Sequence, residues 1–355
     1  VLLIETVFLR IVLPKNSRPI ERIIVLTLFL LVLVACGRPP NELPRITQPP
    51  ATIPTGTPVP KPLQEPTPQL SPTPSSSPTQ NTPANIEAGT FDGQRSYIYL
   101  LDQMAFGPRW PGSPGHVEVG DYIVAKLEEF GWEVEEQRFL YRDIEGRNII
   151  ARANIDAGPV IIVGAHYDTR KIADKTPGSE EPVPGAVDGA SGVAVLLELA
   201  QTLDLDQINN EIWLAFFDVE DQGSGGMPGY DWIVGSSFMA NSLNLKPEAM
   251  VLVDMVGDAD QQLYYEGNSD PTLRQVIWQK AAELGFQDAF IQEQKYSLID
   301  DHLPFARLGI PAIDIIDFDY PYYHSVEDTA DKASPESLHR VGRTLESWLE
   351  NKDGT

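Results

Sequence analysis

The residues able to do chemistry in this sequence stand at the ends of apolar runs. His166-Tyr167-Asp168 ends the run 160–165, Asp218-Val219-Glu220-Asp221 ends 212–217, and Asp254 ends 250–253. Asp188 opens the stretch Asp188-Gly189-Ala190-Ser191-Gly192, and His324 follows the run 312–316. Two imidazoles and several carboxylates brought to one place make a cation site. Two carboxylates about 4 Å apart repel by roughly 4 kcal/mol at an effective dielectric of about 20, so four of them cannot stay ionised unaided. Mixed nitrogen and oxygen donors suit zinc best, with cobalt or manganese able to take the same position, whereas imidazole is a poor ligand for calcium and magnesium. Taken singly, each residue has a plainer reading as a turn or cap residue, and Asp188 before a helix reads as an N-cap. The coincidence of His166, Asp188, Glu220, Asp221, Asp254 and His324 is what points to a site.

Positioning them requires a layered α/β fold. After residue 85, short apolar runs alternate with helical periodicity, predicting strands over 148–153, 160–165, 212–217, 250–253 and 312–316. Several are continuous and β-branched, as strands covered on both faces are. Val193, Leu196, Leu197, Ala200 and Leu203 predict an amphipathic helix. A last helix starts at Ser334 as cap and Pro335, with Leu338, Val341, Leu345 and Trp348 as its buried stripe. In open α/β sheets ligands bind beyond the carboxyl ends of the strands, where these polar residues would converge.

Of 355 residues, 51 are acidic and 26 basic, a formal net charge of -25 that excludes nucleic acid as a partner. One cysteine, Cys36, precludes an internal disulfide. Arg18 and Arg22 precede a 13-residue apolar run over 23–35, which suits a signal-peptide core and is short for a membrane span. Leu33-Val34-Ala35-Cys36 resembles a bacterial lipobox, so lipidation of Cys36 and an extracytoplasmic, membrane-anchored location are expected. Residues 38–84 hold 15 of the 31 prolines and few large apolar side chains, predicting an extended spacer reaching roughly 150 Å. The chain divides accordingly into 1–36 as signal and lipobox, 37–84 as linker, and 85–355 as a single catalytic domain.

The order His166-x-Asp168, Asp188-Gly-Ala-Ser-Gly, Asp218-x-Glu220-Asp221, Asp254 and Tyr323-His324 resembles the zinc aminopeptidase and glutaminyl cyclase superfamily over about residues 90–350. The resemblance implies a three-layer domain with a mixed, mostly parallel sheet flanked by helices, of the zinc aminopeptidase-like (phosphorylase/hydrolase-like) kind. It implies that Asp188, Asp221 and His324 hold one zinc, that His166 and Asp254 complete a second position with Asp188 as bridge, and that Glu220 is the general base and acid. Asp168 would accept the other ring proton of His166. Peptide or protein N-termini would be the substrates, with one or two zinc ions.

Two chemistries fit that shell. An aminopeptidase uses water to cleave the first peptide bond, with Glu220 shuttling the proton to the departing amine. A glutaminyl-peptide cyclotransferase turns the peptide's own α-amine on the side-chain amide of an N-terminal glutamine and releases ammonia, again with Glu220 as relay. Asp300-Asp301-His302 resembles the bacterial cyclase stretch, where Asp300 would join Glu220 and Asp254 in a proton relay. Arg170 and Ala173-Asp174 resemble that branch too. Tyr323 stands where cyclases place Trp, and Trp232 is a second candidate wall of the substrate pocket. A catalytically inactive peptide-binding module is the third reading, which loss of a ligand or the base would mark.

Overall fold

The computed structural model describes residues 90–350, so the signal, lipobox, Cys36 and linker lie outside the described residues. The chain opens with helices α1 (Gly93–Ala105) and α2 (Pro114–Glu129), followed by strands β1 (Glu133–Tyr141), β2 (Ile144–Ala153) and β3 (Val160–His166). Helix α3 (Ala190–Thr202), strand β4 (Glu211–Phe217), helix α4 (Val234–Ser242) and strand β5 (Ala249–Asp254) come next. The last third holds β6 (Leu263–Glu266), α5 (Pro271–Glu283), β7 (Phe290–Tyr296), α6 (Leu303–Arg307), β8 (Ala312–Ile316) and α7 (Pro335–Leu349).

Six strands form one mixed sheet in the order β1-β2-β4-β3-β5-β8, while β6 and β7 pair separately. The pairs β4/β3, β3/β5 and β5/β8 are parallel, and β1/β2 and β2/β4 antiparallel. Every residue of β3, β5 and β8 is buried, which is why their sequences are largely apolar without alternation, the polar exceptions being His166 and Asp254 at the ends of β3 and β5 and Asp314 within β8. Because β3, β4 and β5 run parallel, their carboxyl ends deliver His166, the 218–221 turn and Asp254 to the same edge.

The five strands and two helices expected from the sequence are present, with ends shifted by a few residues. Two expectations need correction. Helix α3 is not amphipathic: Ala190 to Ala200 are all buried, because α1 and α7 cover the side that faces away from the sheet. In α7, Leu338, Val341 and Leu345 are fully buried, but Trp348 is half-buried and Leu349 takes the deeper place. Gly192 lets α3 close on the sheet, since a Cβ there would lie 2.4 Å from the Val253 carbonyl oxygen.

Candidate active site

His166, the last residue of β3, is buried, with Nε2 3.0 Å from Asp254 Oδ1 and 3.3 Å from Asp188 Oδ1. His324 comes from the loop after β8, with Nε2 3.0 Å from Asp221 Oδ1 and 3.8 Å from Asp188 Oδ2. Asp188 thus turns one oxygen to each imidazole. Two ligand groups result, His166-Asp188-Asp254 and Asp188-Asp221-His324, in each of which the donor atoms lie within 4.8 Å of one another.

The loop that carries Asp188 is built for this. Helix α3 begins at Ala190 with Gly189 as its cap residue, so Asp188 is not the N-cap and its carboxylate stays free of the helix. Gly189 has φ 102°, and a Cβ there would press on the Asp168 carbonyl oxygen at 3.1 Å. Asp328 accepts from the backbone N–H groups of Val187 at 2.9 Å and Asp188 at 3.2 Å, and from the Tyr320 hydroxyl at 2.6 Å. Arg109, fully buried, donates to the carbonyl oxygens of Pro184 and Gly185.

Asp168 differs from expectation. His166 Nδ1 lies 3.1 Å from the Asp168 backbone carbonyl, while the carboxylate stays 4.0 Å away. That carboxylate instead accepts from the backbone N–H of Glu220 at 2.9 Å and the side-chain amide of Gln222 at 3.0 Å. Its task is to shape the turn that presents Glu220 and Asp221. The turn is strained: Val219, between Asp218 and Glu220, has φ 56°. Met255 (φ 46°), directly after Asp254, and His324 itself (φ 57°) are also left-handed, a conformation that costs about 1–3 kcal/mol for such residues and gathers at functional sites.

A pocket of about 380 Å³ opens on this edge, lined by Asp188, Glu220, Asp221, Asp254, Asp300 and His324 among others, with Trp232 and Tyr323 as walls. Trp232 stacks on His324 with ring centroids 5.9 Å apart and planes 13° apart, and Tyr323 meets His324 edge-on at 5.0 Å. The Arg170 guanidinium, 4.8 Å from the Trp232 ring centroid, donates to Asp174, the Asp221 carbonyl oxygen and the Ser224 carbonyl oxygen. Burial pushes the Glu220 carboxyl well above its usual range; His166 opposes this while Asp221 and Asp300 add to it. Asp300 is likewise pushed well up by burial and then by Asp254 and Asp301. For Asp188, burial works against ionisation, but the two imidazoles and Arg170 overcome it and hold the carboxyl below its usual range.

The two groups differ in how their polar atoms are satisfied. His166 and Asp254 form a hydrogen bond. Asp188 Oδ2 and Asp221 Oδ2 are buried with no hydrogen-bond partner. Buried acceptors without donors are rare unless an ion or water fills the gap, and one imidazole with two carboxylates is a donor set that fits zinc. The residues that shape this site without touching the pocket carry no local signal in the sequence. Asp328 and Arg109 act through backbone groups 75 to 141 positions away, and only the fold brings them there.

The sequence from 148 to 349 matches the profile of peptidase family M28. The chain belongs to peptidase family M28. A glutaminyl cyclase of Porphyromonas gingivalis is 36% identical in sequence and superimposes with a TM-score of 0.69, covering 74% of this chain and 99% of that one. A leucine aminopeptidase precursor of Bacteroides thetaiotaomicron superimposes at 0.71 with 32% identity, covering 75% and 99%. The glutaminyl-peptide cyclotransferase of Drosophila melanogaster is 29% identical over 274 residues, 66% of this chain and 75% of that one. The mixed sheet is flanked by helices, and the candidate metal-ligand groups lie at its carboxyl edge.

Proposed function

We propose that this M28 protein is a glutaminyl-peptide cyclotransferase with one zinc held by Asp188, Asp221 and His324. The observation that carries the reading is the asymmetry between the two ligand groups. Asp188 and Asp221 leave two buried oxygens that need a cation, whereas His166 and Asp254 satisfy each other by a hydrogen bond. One ion therefore suffices, and cyclisation needs no second metal to prepare a water molecule.

When bound, zinc would polarise the side-chain amide carbonyl of the N-terminal glutamine. Glu220, raised well above its usual range by burial, is a stronger base than an exposed carboxylate and takes a proton from the α-amine as nitrogen bonds to the amide carbon. The same carboxyl then returns the proton to the amide nitrogen, the old carbon–nitrogen bond breaks, and ammonia leaves. Asp300 and Asp254 line the same pocket as Glu220 and keep its proton in a shared acidic network. Trp232 and Tyr323 exclude water from the sides. The identity to bacterial glutaminyl cyclases supports this choice.

Aminopeptidase cleavage is the second reading. It is favoured by the completeness of the His166-Asp188-Asp254 group as a second ion position and by the likeness to the leucine aminopeptidase precursor. Incubation with a glutamine-initiated peptide decides: release of ammonia with the matching loss of mass supports cyclisation, and a free N-terminal amino acid supports cleavage. Zinc and peptide binding with neither product would mark an inactive module.

The further reading of Cys36 as a lipid-bearing N-terminus, with residues 37–84 as spacer between membrane and enzyme, is supported by the lipobox-like sequence. Cys36→Ser is expected to release the protein into the medium; unchanged membrane association would overturn it.

A further inference from the structure

Six acids line the pocket, and two cations do. Arg170 is spent on the structure, since its guanidinium is bound to Asp174, Asp221 and Ser224. Lys175 is different. It is exposed at the pocket mouth, its ammonium lies 2.7 Å from the centroid of the Tyr323 ring, and no carboxylate among the described residues pairs with it. Its place relative to the site is fixed from both sides: the Lys175 N–H donates to the His324 carbonyl oxygen at 3.2 Å, and the Val326 N–H donates to Thr176 Oγ1 at 3.1 Å. Ile299, 64% exposed and next to Asp300, lines the same pocket.

A peptide N-terminus carries its charge on the first residue, and the acids on the pocket floor draw that ammonium inward, away from Lys175. Successive residues of an extended chain lie about 3.3–3.6 Å apart, so the second residue emerges at the exposed rim, which offers an ammonium without a carboxylate partner and an apolar side chain. An aliphatic stem that ends in a carboxylate fits both. We propose that Lys175 is a specificity-determining residue that selects substrates with glutamate, and to a lesser degree aspartate, at the second position. The inference rests on the reading that the site takes peptide N-termini, and holds for either product.

The test compares three C-terminally amidated peptides, Gln-Glu-Ala, Gln-Gln-Ala and Gln-Lys-Ala, assayed for both ammonia and free amino acid. Amidation removes the terminal carboxylate; adding the free-acid form of Gln-Gln-Ala separates attraction by a side chain from attraction by a chain end. For an exposed pair the glutamate peptide is expected to exceed the glutamine peptide about three-fold in kcat/KM, and the lysine peptide to fall about as far below it. That order should flatten in Lys175→Gln, invert in Lys175→Glu, and shrink as salt is raised. A merely structural Lys175 would lower all three peptides alike and leave their order unchanged, which overturns the proposal. Equal rates for the three peptides with pyroglutamyl product overturn Lys175 but leave cyclisation standing. The predicted order with a freed amino acid does the reverse. Calorimetric titration with the same peptides reads the charge order without turnover, and equal affinities there also overturn it.

Discussion

The two ends of Asp188 look alike in composition and differ in construction. His166 ends a buried strand, its side chain is 2% exposed, and a hydrogen bond to Asp254 completes it. His324 sits in a loop with left-handed backbone, its side chain is 17% exposed, and the acids around it keep two oxygens without donors. The lesson is that ligand type and spacing define where an ion can go, whereas unsatisfied acceptors beside those ligands tell the two positions apart.

The strongest way to break this comparison is to remove each imidazole in turn. His324→Ala is expected to lose bound metal and to reduce kcat/KM by about a thousand-fold, measured by elemental analysis alongside the ammonia assay. If the variant kept one equivalent of zinc, the ion would belong to the other end. Next comes Glu220→Gln, for which turnover should fall about 10²- to 10⁴-fold with zinc retained, since it removes a proton carrier and no ligand. His166→Ala should retain one zinc and lose only about tenfold in rate, as for a residue that orients a ligand. A fall from two equivalents to one would instead show both ends loaded.

Asp300→Asn sharpens the proton side. Asp300 raises the Glu220 carboxyl, so its neutralisation should move the acid limb of the pH–rate profile to lower pH, and a limb that stays in place would separate the two acids. The smallest effect concerns stability of the metal-free protein. His166 is held well above its free value because Asp254, Asp188 and Glu220 overcome its burial, and burial raises Asp301 and Asp328 to about 7. Each binds its proton more tightly folded than unfolded, so each stabilises at low pH and loses that contribution as pH rises through the folded value. Melting of chelated protein should therefore fall between about pH 5 and about pH 8; a rise over that window would contradict the assigned directions.

Much of this was legible in the sequence, and the illegible remainder has physical causes. Strands β3 and β5 announce themselves because burial on both faces demands apolar runs, and β8 does so despite the buried Asp314 at its centre. Strand β1, Glu-Val-Glu-Glu-Gln-Arg-Phe-Leu-Tyr, is an edge whose side chains are largely exposed, so no apolar rhythm betrays it. The acids and imidazoles could be picked out because strand ends carry them. The job of Asp168 could not, since its carboxylate is claimed by amides of a turn about 50 residues on, a competition set by the fold. Asp328 is one acid among 51 until the Asp188 loop is seen hanging from it.

The parallel indole on His324 gives the molecule an optical gauge. Of the six tryptophans, Trp232 alone among those described stacks on a candidate ligand, so its emission is expected to be dimmed by a charged imidazole and to brighten when that ring surrenders its proton to bind an ion. Occupancy could then be followed continuously in a cuvette, one molecule type at a time, with Trp232→Phe as the blank.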